Sequence, residues 1–202
     1  MKYFYVPMLT GLLLISSCAI FSPIKQANMQ KYLIKYNIKQ QYCTNKNSYT
    51  IRIADTTADS PFNTNSILYS LSPYTLNQYS YSVWAALPQD TIGQALEQTV
   101  NGLCMFRNVD NTYFYTDYIL ISKIITLKEE INKNKANAIL SIQVQLINNK
   151  NHLVKNKTFT ETTPIKPSPE NMTIGISKDL DQFLNELTIW LQRKIITPST
   201  HL

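Results

Sequence analysis

Glycine is scarce in this chain, with four in 202 residues, at positions 11, 93, 102 and 175. That scarcity excludes the glycine-built sites of nucleotide and acyl chemistry. A P-loop, a GxGxxG turn and a GxSxG nucleophile elbow each need glycines a few residues apart. Histidine is scarcer still: His152 falls in a predicted hairpin turn and His201 in the last two residues. Neither stretch would build a pocket for general acid–base work. The three cysteines, Cys18, Cys43 and Cys104, show no CxxC or Cys/His ligand spacing, so no metal is expected. Glu129 with Glu130, and Asp179 with Asp181, leave a carboxylate pair open by sequence, although adjacent surface acids are usually just solvated. The expectation is a protein that is not an enzyme and carries no cofactor.

Long apolar runs are also missing. Crossing a bilayer as a helix takes about 20 apolar residues, and the run from Val6 to Ile15 is half that. It follows the single charge of Lys2 and precedes two small residues, the layout of a secretory signal peptide. The segment Leu14-Ile15-Ser16-Ser17-Cys18 resembles the bacterial lipobox, in which the cysteine sulfur receives a diacylglycerol before cleavage. The organisation expected is a signal peptide at 1–17, a lipidated tether at 18–30, one domain at 31–196 and a flexible tail at 197–202. An ordinary signal peptide cut nearby, or an uncleaved anchor, are the alternatives, and Pro7 within the apolar run counts against the anchor. Two or more acyl chains make attachment stable where one is marginal. Ala19 stands where an Asp would favour retention in the inner membrane. Lipidation at Cys18 therefore implies the outer membrane, on its periplasmic face.

Hydrophobic residues make up 44% of the chain, enough for one folded core. The formal charge of +6 is spread among acids without a basic block, so a nucleic-acid role is not expected. Export would permit a disulfide between Cys43 and Cys104, contributing on the order of 4 kcal/mol in the chain-entropy model. Two buried thiols acting as small hydrophobes fit the same residues.

Along the chain, Tyr32–Ile38 reads as a first strand, Tyr49–Ala54 as a half-buried second, and 55–65 as a loop. Residues 66–83 place apolar side chains at odd positions on either side of Ser72-Pro73, as in a hairpin. Pro88 is placed to open a helix whose apolar face is Ile92, Ala95, Leu96, Thr99, Val100 and Leu103. Residues 113–127 read as a central strand covered on both faces, interrupted by a polar stretch at 128–135. Leu140, Ile142, Val144 and Leu146 then alternate with polar residues, and Asn148–Asn151 turns the chain into an antiparallel return at 153–162. Ser168-Pro169 caps a last helix with the stripe Met172, Ile176, Leu180, Phe183, Leu184, Leu187 and Leu191. The fold class is α+β: a mainly antiparallel sheet with two amphipathic helices on one face.

Aromatic residues concentrate at Tyr69, Tyr74, Tyr79, Tyr81 and Trp84. They serve either strand packing against the helix after Pro88 or a face for a protein or lipid partner, since Tyr and Trp bury much area while keeping a polar tip. Tyr79-Ser80-Tyr81-Ser82-Val83-Trp84-Ala85-Ala86-Leu87-Pro88, running into a helix that ends near Cys104-Met105-Phe106, resembles the signature of the ABC-type transport auxiliary lipoproteins. Tyr32-Leu33-Ile34 matches the family's opening strand loosely, and 55–65 lacks its usual Pro-Tyr-Leu approach. The resemblance implies an outer-membrane-anchored auxiliary lipoprotein of a lipid transport system. Such a protein docks the periplasmic MCE-domain component, with Tyr79, Tyr81 and Trp84 as candidate contacts and room for self-association. A structural or assembly lipoprotein of the envelope, and a carrier holding lipid in its own cavity, are the competing readings.

Overall fold

The spine of the protein is an antiparallel hairpin of two long strands, Tyr118–Asn132 and Lys135–Asn148, flanked on both sides by the other strands. The computed structural model describes residues 28–38, 49–106, 108–110 and 116–195. In chain order the strands are β1 (Gln30–Tyr32), β2 (Thr50–Ile53), β3 (Thr57–Ala58), β4 (Ser66–Ser70) and β5 (Asn77–Trp84). Helix α1 (Pro88–Gly102) follows, then β6 (Asn108–Asp110), β7 (Tyr118–Asn132), β8 (Lys135–Asn148), β9 (Leu153–Ile165) and helix α2 (Pro169–Ile195).

One edge of β7 pairs antiparallel with β8, from Tyr118↔Asn148 to Asn132↔Lys135, and β8 pairs antiparallel with β9. The other edge takes three short strands in succession, all parallel: β2 beside 118–120, β3 beside 123–124 and β4 beside 129–130. Beyond them β5 pairs with β4, β1 with β5, and β6 with β2. The result is a mixed, mostly antiparallel sheet with two helices, the α+β class that the patterning implies.

The helices share the face that alternation selects. Ala136, Ala138, Leu140, Ile142, Val144 and Leu146 of β8 are buried there, beneath α2. All seven residues of the predicted α2 stripe are buried, each contributing about 1.5–3 kcal/mol by removal from water. Ser168 opens this helix, its Oγ accepting the Asn171 N–H at 3.0 Å. Gly175 lets it come close: a Cβ there would lie 2.5 Å from the Ala138 Cβ. Helix α1 begins at a buried Pro88, with Asp90 in its first turn, and packs on α2 and β7 through Ile92, Ala95, Leu96 and Val100.

Three expectations need correction. The first strand is β1 at Gln30–Tyr32. The residues after it run along α2 instead, where Ser177 Oγ accepts the Lys35 N–H at 3.0 Å and Asp181 accepts both the Asn37 N–H and its side-chain amide. β7 continues through the polar stretch to Asn132, because its partner β8 continues too. It turns at Lys133, whose φ of 56° is left-handed. Nor is β7 covered equally on both faces: Leu120, Ser122 and Ile124 are buried under the helices, while Ile119, Ile121 and Ile125 on the other face are half-buried.

Candidate functional site

From residue 60 to residue 89 the chain has no charged residue and no histidine. This uncharged stretch spans the whole β4–β5 hairpin, the part of the sheet richest in tyrosine. Its pairing register is uneven. Tyr69 faces Asn77 and Leu68 faces Gln78, yet Ser66 faces Val83, so β5 spends five residues where β4 spends two. A bulge of this kind breaks the strict inside-outside alternation of a strand. Odd positions, apolar in the sequence, are therefore not the buried ones beyond it: Ser82 and Trp84 point into the core instead.

The three residues suggested as partner contacts consequently separate. Trp84 is 2% exposed and belongs to the core, so it offers no surface to a partner. Tyr79 is half-buried, its ring 4.7 Å from that of Tyr69, and its hydroxyl donates to Glu129 Oε2 at 2.6 Å. Tyr81 is 60% exposed and remains available. Of the two readings of the aromatic cluster, core packing holds for Trp84 and a free surface for Tyr81.

Glu129 was missed as a buried group because it sits beside Glu130 in a polar run. It is fully buried beneath the hairpin. Burial pushes its carboxyl above the usual range, while the hydroxyl of Tyr79 and, less strongly, the backbone N–H of Ser168 pull it back. The Tyr79 hydroxyl is pushed up in turn, by burial first and then by the carboxylate it serves. This pair ties the part of the hairpin nearest its turn to β7. At its tip, Ser72 and Thr75 close the turn with their own hydroxyls at 3.2 Å, and the Thr75 N–H donates to the Ser72 carbonyl at 3.3 Å. The turn leaves Leu71 at 62%, Tyr74 at 97% and Leu76 at 43% exposed.

Asp179 corrects the surface reading in the same way. It is 1% exposed, on the sheet-facing side of α2, with Oδ1 accepting from the Thr163 hydroxyl at 2.6 Å. Burial raises its carboxyl to about 6; the Thr163 hydrogen bond opposes this and the neighbouring Glu161 adds to it. Glu161 is raised by its own burial and by Glu186, against Lys157 and Gln182. Among the described residues no three His, Cys, Asp or Glu side chains are grouped to hold a metal ion. His152 closes the β8–β9 turn through its backbone, the N–H donating to Asn148 Oδ1 at 2.9 Å. Cys104 is disulfide-bonded and so is not a free buried thiol. Cys18, Cys43 and the tail at 197–202 lie outside the described residues, as does most of the tether. No helix among the described residues is long and apolar enough to cross a membrane.

No family model matches the chain, and no curated protein does. Solved structures do. Protein XCC0632 from Xanthomonas campestris, of family DUF330, superposes with a TM-score of 0.72 at 16% identity, covering 83% of this chain and 100% of that one. The protein CT253 from Chlamydia trachomatis gives a TM-score of 0.53 at 4% identity, covering 74% of this chain and 99% of its own. At these identities the likeness is one of fold, and the chain has the fold of the DUF330 protein.

Proposed function

We propose that this chain is an outer-membrane lipoprotein, anchored through Cys18 on the periplasmic face, that serves as a non-catalytic auxiliary component of an ABC-type lipid transport system by docking its periplasmic MCE-domain protein. The observation that carries the reading is the segment Tyr79–Pro88. Its resemblance to the auxiliary lipoproteins falls on the join between β5 and α1, within a fold shared with a DUF330 protein over the whole of that protein's length. The lipobox-like segment ending at Cys18 supports the anchor. Acyl chains would confine the domain to a thin layer under the outer membrane, raising its effective concentration for a partner that reaches across the periplasm.

The contact residues are Tyr81 and Leu87, 60% and 37% exposed within the segment Tyr79 to Pro88. Trp84→Ala is unsuited as a test because it would empty a core position. A photo-crosslinking side chain at position 81, in the full chain expressed in cells, is expected to capture the MCE-domain protein. Capture of an outer-membrane assembly factor instead, with no MCE-domain protein, would favour the structural role.

A further inference from the structure

The uncharged hairpin has a second exposed feature, separate from Tyr81. Its tip presents Leu71, Tyr74 and Leu76 to solvent around a turn that its own hydroxyls hold closed. Nothing in residues 60–89 carries a charge that would oppose entry into a less polar medium. Tyrosine with leucine is the composition that settles at a membrane–water interface, the ring in the head-group layer and its hydroxyl still wet.

The direction in which the chain enters the sheet indicates what covers the tip. β1 runs parallel to β5, with Gln30 opposite Ser82 and Tyr32 opposite Trp84. Reading back from Tyr32 to Gln30 therefore means moving along β5 toward Asn77 and the tip. Cys18 precedes Gln30 by 12 residues, a length that spans at most about 40 Å. From Ser82 to Asn77 along an extended strand is about 17 Å. The chain thus enters β1 from the tip end of the sheet, and the 12 residues back to Cys18 are enough to reach past the tip. At that same end stand exposed lysines: Lys133 and Lys135 at the β7–β8 turn, and Lys166 just after β9. They suit anionic head groups and outnumber the exposed acids there, Glu130 and Glu170.

We propose that Leu71, Tyr74 and Leu76 form a second membrane contact, inserted in the head-group region of the bilayer that holds the anchor. This rests on the reading of Cys18 as lipidated. It adds an orientation: the β7–β8 turn faces the membrane, and the β8–β9 turn faces away.

The test uses the full chain, processed in cells and reconstituted into vesicles of phosphatidylethanolamine and phosphatidylglycerol, with and without brominated phospholipid. The native indoles of Trp84 and Trp190 are 2% and 7% exposed, so a Tyr74→Trp variant adds one exposed reporter. Val154→Trp places the same reporter at the far end, where Leu153 and Val154 are also exposed. The expected result is blue-shifted emission from Tyr74→Trp that brominated lipid quenches, with the Val154→Trp emission unchanged. Equal emission from Tyr74→Trp in both kinds of vesicle would overturn the proposal. So would a response of that reporter to added MCE-domain protein but not to lipid. The mass of the Cys18 peptide from the same sample tests the anchor separately. Quenching with Cys18 unmodified would keep the tip contact and remove the anchor.

Discussion

Two carboxylates held out of water set the chemistry at the scale of single residues. Asp179 is buried with one oxygen bonded to Thr163, and its proton is held up to about pH 6. In the unfolded chain the same group titrates in the ordinary carboxylate range near 3.9. Between those values the folded state binds the extra proton, so stability falls as pH rises through that window, and the penalty is complete above it. For a shift of this size the cost is about 3 kcal/mol. Asp179→Asn cannot ionise. We expect it to unfold at higher temperature than wild type near pH 7.5, with a smaller gain on acidification to about pH 5, as followed by circular dichroism. Glu129, raised by burial, has the same sign. Neither burial could be read from the sequence. Each acid has another acid one or two residues away, and adjacent acids usually mean solvent. Only the register of β7, which carries Glu129 past the end of the predicted strand, and the α2 face of Asp179 place them inside.

The elements were legible wherever one period ran unbroken. Leu140 to Leu146 in β8, the α2 stripe and the α1 face around Ile92 all lie where their spacing puts them. The reading failed where pairing overrode pattern. β5 alternates in sequence, but its bulge against β4 turns Trp84 inward and leaves Tyr81 out, and no local signal announces a bulge. β3 is two residues long and exists because β7 offers it an edge, so its sequence is indistinguishable from the loop expected at 55–65. Gly175 shows the same dependence on context. On helix propensity alone, Gly→Ala gains about 1 kcal/mol. Here the new methyl would meet the Ala138 Cβ at 2.5 Å and the Ile165 Cγ2 at 3.1 Å. Gly175→Ala is therefore expected to destabilise by about 1–3 kcal/mol, as overpacking does. Adding Ala138→Gly should recover part of the loss in urea unfolding, and a Gly175→Ala variant as stable as wild type would show that α2 is free to lift from the sheet.

At the scale of the whole molecule, the described residues form one mixed sheet with two helices, and the role proposed for it depends on where that body is held and what it touches. The fold was legible in the sequence as a class. The candidate contact was legible as a segment, although burial then divided its residues, leaving Tyr81 on the surface and Trp84 in the core. The proposed anchor, and the docking it would favour, depend on one modification at Cys18. Mass spectrometry of the amino-terminal peptide from protein purified out of the cell envelope tests it most directly. The expected peptide begins at Cys18 with a diacylglycerol on its sulfur. A mature chain beginning at another residue, or an unmodified thiol at Cys18, would contradict it.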